Sequence, residues 1–158
     1  CCGRIHPEGR QEAEELAAAA YLFEDVLATD LASGKVRLPM SDQTARIAHL
    51  HGHCHQKAFE RMGAVEAVLR CVPGLEVRQI ESSCCGMAGA FGYQADHHDV
   101  SIAMAELSLF PALRKIGDHD LIVADGTSCR HQIADGLGRK ALHVSQVLEA
   151  ALMPVKPS

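Results

Sequence analysis

The chain reads as an α/β domain built on an open parallel sheet of about four strands with flanking helices, preceded by an N-terminal amphipathic helix. Three observations predict this. From residue 46 onward, short apolar runs alternate with helical stretches in the order β-α-β-α-β-(short helix)-β-α, the order of parallel strands joined by right-handed crossovers. The run Asp120-Leu-Ile-Val-Ala124 is almost continuously apolar, as a strand covered on both faces requires. A length of 158 residues with 47% hydrophobic content is enough to bury one core without disulfide bracing.

Each element follows from local pattern. Residues 8 to 33 carry Leu16, Ala20, Phe23, Leu27 and Leu31 at three- and four-residue steps, with Glu12, Glu14, Glu15 and Glu24 on the polar side. This predicts one helix closed by Gly34, whose acidic face suits packing on another domain better than lying on anionic lipid. A linker with Pro39 and Ser41 follows. Ile47 to Leu50 reads as a strand, and Gln56 to Arg70 as a helix with Phe59, Met62, Val65 and Leu69 inward, stopped by Pro73-Gly74. Leu75 to Ile80 is the second strand, Asp99 to Ile116 a helix kinked at Pro111, and Asp120 to Ala124 the third strand. A short helix capped by Thr127 and Ser128 comes next, then a strand at Ala141 to Val144 and a last helix from about Ser145. The pattern is Rossmann-like or flavodoxin-like.

Composition narrows the function classes. The longest apolar run, Leu16 to Phe23, falls far short of the roughly 20 residues that span a bilayer. A net charge of −5, 15 scattered basic residues and only four Phe and two Tyr give no surface for nucleic acid. Seven cysteines, an odd number, point to metal binding in a reducing, cytoplasmic compartment more than to a disulfide scaffold. The chain opens on Cys1-Cys2-Gly3, without an initiator Met or a signal-peptide pattern, and so reads as a piece of something longer.

In open parallel sheets, ligands bind beyond the carboxyl ends of the strands. Cys54 follows the first strand, Cys84 and Cys85 the second, and Cys129 the third, so three strand ends bring four thiols to one edge. Gly86, Gly89 and Gly92 let the chain turn tightly there and aim amides at sulfur. Four thiolates suit an iron-sulfur cluster, a zinc ion or, with no metal at all, four buried structural thiols. The adjacent pair and the long separations from Cys54 and Cys129 differ from the short C-x(2 to 4)-C knuckles of zinc ribbons. A vicinal Cys84-Cys85 disulfide is a third chemistry, disfavoured by ring strain. His51, His53 and His55 are candidates for supporting metal ligands or carrying protons, and Arg130 and His131 for offsetting cluster charge. Cys71, at a helix end, reads as a core thiol.

Three segments, His51-Gly-His-Cys-His-Gln-Lys57, Ser83-Cys-Cys-Gly-Met-Ala-Gly-Ala-Phe-Gly92 and Ala124-Asp-Gly-Thr-Ser-Cys-Arg-His-Gln-Ile133, resemble the cysteine-rich CCG domain of the heterodisulfide reductase type, in that family's order. The resemblance runs from about Ala45 to Met153, and is nearest to the C-terminal iron-sulfur module of flavin-dependent D-2-hydroxyacid dehydrogenases that oxidise D-lactate, glycolate or 2-hydroxyglutarate. It implies a 4Fe-4S cluster on Cys54, Cys84, Cys85 and Cys129, with Gly86, Gly89, Thr127, Ser128, His53 and His55 around it, zinc being the alternative. It implies FAD only in an upstream part, partners among upstream flavin and ferredoxin-type domains or subunits, and a quinone, an electron-transfer protein or a thiol as acceptor. The placement implied is cytoplasmic, or peripheral at the inner face of the membrane through those partners.

The sequence departs from the family twice. Cys1-Cys2-Gly3 resembles the centre of a first cysteine-rich repeat and Tyr21 to Leu27 the entry to the second, but the long stretch between them is missing. Residues 1–40 are therefore expected to be the remnant of that repeat plus a docking helix, and residues 41–158 the CCG domain. Many relatives end the last motif in C-x-x-C, where this chain has Cys129-Arg-His-Gln132. Four thiols rather than five favour an ordinary 4Fe-4S cluster over a noncubane one. With no flavin site or ferredoxin run, the isolated chain is not expected to turn over a hydroxyacid.

Overall fold

The computed structural model describes residues 9–154. Its elements in chain order are α1 (Arg10–Ala19), α2 (Phe23–Ala32), β1 (Ile47–Leu50), α3 (Cys54–Ala58), α4 (Met62–Arg70), β2 (Glu76–Gln79), two 3₁₀ turns (Phe91–Tyr93 and Ala95–His97), α5 (His98–Glu106), α6 (Leu109–Leu113), β3 (Leu121–Val123), α7 (Thr127–Leu137), β4 (Ala141–Leu142) and α8 (Val144–Ala151). The four strands form one sheet in the order β2-β1-β3-β4, parallel throughout. This is the expected α/β class. Strands are added first to one side of β1 and then to the other, so the order switches between β1 and β3, where an open sheet parts its crossing loops and leaves a crevice.

Strand residues alternate between two cores, as a pleat requires. Ile122 and Ala124 point to the face covered by Phe110, Leu113 and Ile133 of α6 and α7. Val123, Ala48 and Leu50 point to the face covered by Val65, Val68 and Leu69 of α4 and Val147 and Leu148 of α8. Cys85 and Cys129 lie at the edge of the first core and are almost fully buried. Leu27, Ala28 and Leu31 of α2 pack on the second core, and Met40 bridges to Leu152, tying the segment after α2 to the end of α8. No helix among the described residues is long and apolar enough to cross a membrane.

The structure corrects the sequence reading at several helix boundaries. The single helix expected over residues 8 to 33 is two among the described residues, because Ala20 leaves helical geometry at ψ 119°, and the turn swings Glu24 inward, off the solvated face expected of it. The helix expected from Gln56 to Arg70 is likewise two, interrupted where Glu60 takes a positive φ of 54°. Asp99 to Ile116 breaks at Leu107-Ser108 rather than kinking at Pro111. Pro111 sits in the first turn of α6, where its missing N–H costs no bond. The break presents the Ser108 hydroxyl to Ser83 N at 2.9 Å, bracing the turn that carries Cys84. α7 is capped by Gly126 and not by Thr127 or Ser128. A side chain at 126 would run into the His53 ring and Cys129 Sγ, so space decides the residue there. The strands are trimmed by a residue or two, to Glu76–Gln79, Leu121–Val123 and Ala141–Leu142. Cys1-Cys2-Gly3 and Glu8 lie outside the described residues.

Candidate metal centre

β1, β2 and β3 are neighbours, so the loops leaving their carboxyl ends converge. β1 runs through His51 into α3, whose first residue is Cys54; β2 leads to Cys84 and Cys85; β3 leads through Gly126 to Cys129 in the first turn of α7. Cys54 Sγ lies 3.7 Å from Cys84 Sγ. Cys85 Sγ, Cys129 Sγ and a ring nitrogen of His51 all fall within 4.8 Å of one another. The five described cysteines are free thiols; Cys85 and Cys129 are buried, whereas Cys54 is exposed. The group is thus sealed on the core side and open on the other.

Why the doublet is followed by glycine is a matter of space. Gly86 has φ 93°, and a Cβ on it would collide with the backbone carbonyl of Ser101 in α5. Its N–H points back to Cys84 Sγ at 3.3 Å, an amide directed at sulfur. Gly89 also has a positive φ, 71°, but open space around it.

The electrostatics of the thiols are coupled. Cys129 hydrogen-bonds Cys85, and with His51 and the amide of Met87 this holds Cys85 well below the usual thiol range against the opposing effect of burial. Cys129 is pushed up by the same bond, by its burial and by the negative charge of the other three cysteines. Cys54, though exposed, is raised by partial desolvation and by its contact with Cys84, slightly offset by Lys57, whose Nζ binds Ser82 O at 2.5 Å. The structure thus brings the thiols together as two pairs, Cys54 with Cys84 and Cys85 with Cys129, whose thiolate charges oppose one another, a conflict that a metal among them would remove. The donor set therefore fits a thiolate-held metal group.

The surrounding residues divide by task. His51 is 1% exposed, with Nδ1 2.9 Å from Ser82 Oγ, fixing the ring beside Cys85 and Cys129. His53 is the N-cap of α3: its Nδ1 accepts from His55 N at 3.3 Å, while its own N–H donates to Gln56 Oε1 at 3.0 Å. His55 is exposed, against Phe59. Arg130 donates to the carbonyls of Ala124 and Asp125 at 2.9 and 2.7 Å and to Thr127 Oγ1 at 3.2 Å, so it locks the β3–α7 turn and is occupied away from sulfur. His131 pairs with Tyr93 OH at 2.6 Å. Ser128 is exposed. Cys71 caps α4, its thiol on Val68 O, away from the group.

Gln132, where many relatives of the resembled family have another cysteine, is 4% exposed and donates to Ser101 O and Oγ at 3.0 and 2.9 Å. Sequence reasoning missed a second cluster altogether, Glu24, Asp125 and His143. Only the position of Asp125 directly after the expected third strand offered a signal.

Among curated proteins, the chain is similar to one subunit of the anaerobic glycerol-3-phosphate dehydrogenase of Escherichia coli strain K12, 32% identical over 118 residues that cover 73% of this chain and 28% of that protein. It is also similar to D-2-hydroxyglutarate dehydrogenase of the same strain, 30% identical over 128 residues covering 80% of this chain and 12% of the enzyme. The Pantoea ananatis D-2-hydroxyglutarate dehydrogenase is 33% identical over 75 residues, 48% of this chain and 7% of the enzyme. The chain thus spans well under a third of the length of the curated relatives it matches, all of them dehydrogenases or parts of one. No protein-family model matches it. No solved structure matches it either.

Proposed function

We propose that this chain is the iron-sulfur electron-transfer part of a flavin-dependent dehydrogenase of hydroxy compounds, D-2-hydroxyacids in the first place, with Cys54, Cys84, Cys85 and Cys129 holding a 4Fe-4S cluster. One observation carries the reading: four thiols from three adjacent strand ends converge on a single edge, with the Cys54 and Cys84 sulfurs 3.7 Å apart and the Cys85 and Cys129 sulfurs within 4.8 Å of each other. When bound, the cluster would supply one-electron storage between a flavin and a downstream acceptor. The chain's own residues hold the thiols in place: Gly86 directs its amide at Cys84, His51 supports Cys85, and Gly126 clears room for Cys129.

The relatives support this from another direction. By name, one acts on glycerol 3-phosphate and others on D-2-hydroxyglutarate, yet they share this segment. A segment common to enzymes of different substrates suits the shared task, moving electrons, better than substrate recognition. On this reading residues 41–158 form the cysteine-rich domain, residues 1–40 pack it against upstream flavin and ferredoxin-type domains or subunits, and the acceptor is a quinone, an electron-transfer protein or a thiol in the cytoplasm or at the membrane's inner face.

Zinc is the second reading, and the trio His51, Cys85 and Cys129 favours it, being a donor set zinc accepts. Anaerobic purification with iron, sulfide and zinc measured per chain, and EPR before and after reduction, separates the two. About four iron and four sulfide are expected. Cys84→Ser is expected to lose the iron and Cys71→Ser to retain it. Near-stoichiometric zinc without sulfide would defeat the cluster.

A further inference from the structure

The four thiols are unequally placed. Cys85 and Cys129 are 2% and 1% exposed, held at the edge of the first core. Cys54 is exposed and Cys84 half-buried, so one pair faces water and the other does not. On that open side Cys54 Sγ lies 3.7 Å from Cys84 Sγ, two sulfurs in contact.

The surrounding bonds hold this pair in register. Cys54 is the first residue of α3, and Lys57, three residues on, binds Ser82 O at 2.5 Å and Ser83 O at 3.5 Å through Nζ. The loop that carries Cys84 is thereby tied to the helix that carries Cys54. From the other side Ser108 Oγ accepts the Ser83 N–H at 2.9 Å. The Gly86 N–H, 3.3 Å from Cys84 Sγ, restrains rotation of that side chain. A disulfide brings two sulfurs to about 2 Å, so closure asks these side chains to move by under about 2 Å in all. The competing pairings are less open. A Cys84–Cys85 bond would close a strained ring between neighbours, and burial keeps an oxidant from Cys85 and Cys129. Cys71 is engaged with Val68 O, away from the group.

We propose that Cys54 and Cys84 form a reversible dithiol/disulfide couple that gates cluster loading, its oxidant a small-molecule disulfide of the glutathione type. The exposed Cys54 sulfur attacks one sulfur of the glutathione disulfide, and its proton leaves with the first reduced glutathione. Cys84 Sγ then attacks Cys54 Sγ, the bond from Cys54 to glutathione breaks, and the second glutathione departs with the Cys84 proton. Two protein thiols are oxidised while one glutathione disulfide is reduced to two thiols. The closed bond withdraws two of the four thiols from iron, and a dithiol reductant returns them. The bond stands on the geometry alone; the gate rests on the cluster reading.

The metal-free chain, reduced and then treated with oxidised glutathione in the absence of oxygen, is digested with trypsin and mapped by mass spectrometry without reduction. A link between peptides 47–57 and 79–114, which carry Cys54 and the doublet, is expected, and fragmentation of the linked pair should place the bond at Cys84. Cys85→Ser is expected to keep the link, and Cys84→Ser to lose it and retain glutathione on Cys54. Circular dichroism checks that both variants are folded, and the map of the parent chain decides without them. No link, a bond at Cys85 or a link to Cys129 overturns the proposal. Given ferrous iron and sulfide, the oxidised chain should take up less than about a tenth of the iron that the reduced chain takes. Equal uptake overturns the gate. A reduced chain that takes up no iron defeats the cluster reading and the gate with it, whereas the bond is still decided by the peptide map.

Discussion

Gly86→Ala is the sharpest test of how the thiol-bearing turn is held. Two costs add. At φ 93° an L side chain meets its own backbone, worth about 1–2 kcal/mol. The new Cβ would also overlap the carbonyl of Ser101, with Ser101 C at 2.9 Å and Gln132 Nε2 at 3.2 Å. The first obstacle is helix backbone and cannot rotate aside, so α5 must shift and its two bonds to Gln132 weaken, at about 1 kcal/mol each. Together the loss is about 3–4 kcal/mol, a large part of the roughly 5–15 kcal/mol that holds a domain folded. Urea denaturation of the metal-free chain followed by circular dichroism measures it, and thermal melting should fall by roughly 10 °C. Gly89→Ala is the control: its φ of 71° carries the conformational cost, but nothing lies within 4 Å of the new Cβ, so about 1–2 kcal/mol is expected. Equal losses in the two variants, or a loss under about 1 kcal/mol for Gly86→Ala, would refute the steric argument.

Three further outcomes follow from named contacts. Glu24 has its carboxyl pKa raised by burial and by Asp125, so the folded chain binds a proton there more tightly than the unfolded one. In the presence of chelator, stability should fall as pH rises from the ordinary carboxylate range through the raised value, and Glu24→Gln should flatten that slope in pH-dependent denaturation curves. Asp120 is the opposite case, held below its usual range by His49 at 3.1 Å: its contribution is present above the ordinary Asp pKa and lost as pH falls through the lowered one. Asp120→Asn should remove that acid-side loss, and an unchanged acid limb would count against the β1–β3 pair. Phe110 is 1% exposed, and its ring occupies the space a side chain at Gly136 would need. Phe110→Ala should cost about 3–5 kcal/mol in the same denaturation assay.

The strands were legible in the sequence because their pattern is local. Leu121 to Val123 is apolar on both faces since helices cover both, and that shows as an unbroken run. The helix breaks were not legible, because each answers to a distant partner. Ser108 leaves the helix and meets Ser83, and Ala20 turns the chain so that Glu24 reaches Gln56 and Asp125. The meeting of the cysteines followed from the rule that loops converge at carboxyl strand ends. Glu24 looked like one more glutamate on a solvated face, and no periodicity distinguishes it from Glu12 or Glu15; only the fold places it against Asp125.

On the proposed cluster reading, ligand number and rigidity compete at Gln132. It stands three residues after Cys129 on α7, so both side chains leave the same face of the helix, and both are buried. A thiol at 132 would lie beside Gly86, next to the doublet, where a further ligand to a larger cluster would be needed. This chain uses the position otherwise. The Gln132 amide spans to Ser101 and joins α7 to α5 across the Cys84-Cys85-Gly86 turn, at a spot where glycine leaves just enough room. A cysteine is too short to keep that tie, and the two bonds to Ser101 would be lost at a cost of about 1 kcal/mol each. The strut and the fifth sulfur are thus mutually exclusive, which gives a physical reason why a chain that holds its turn this way would work with four thiols.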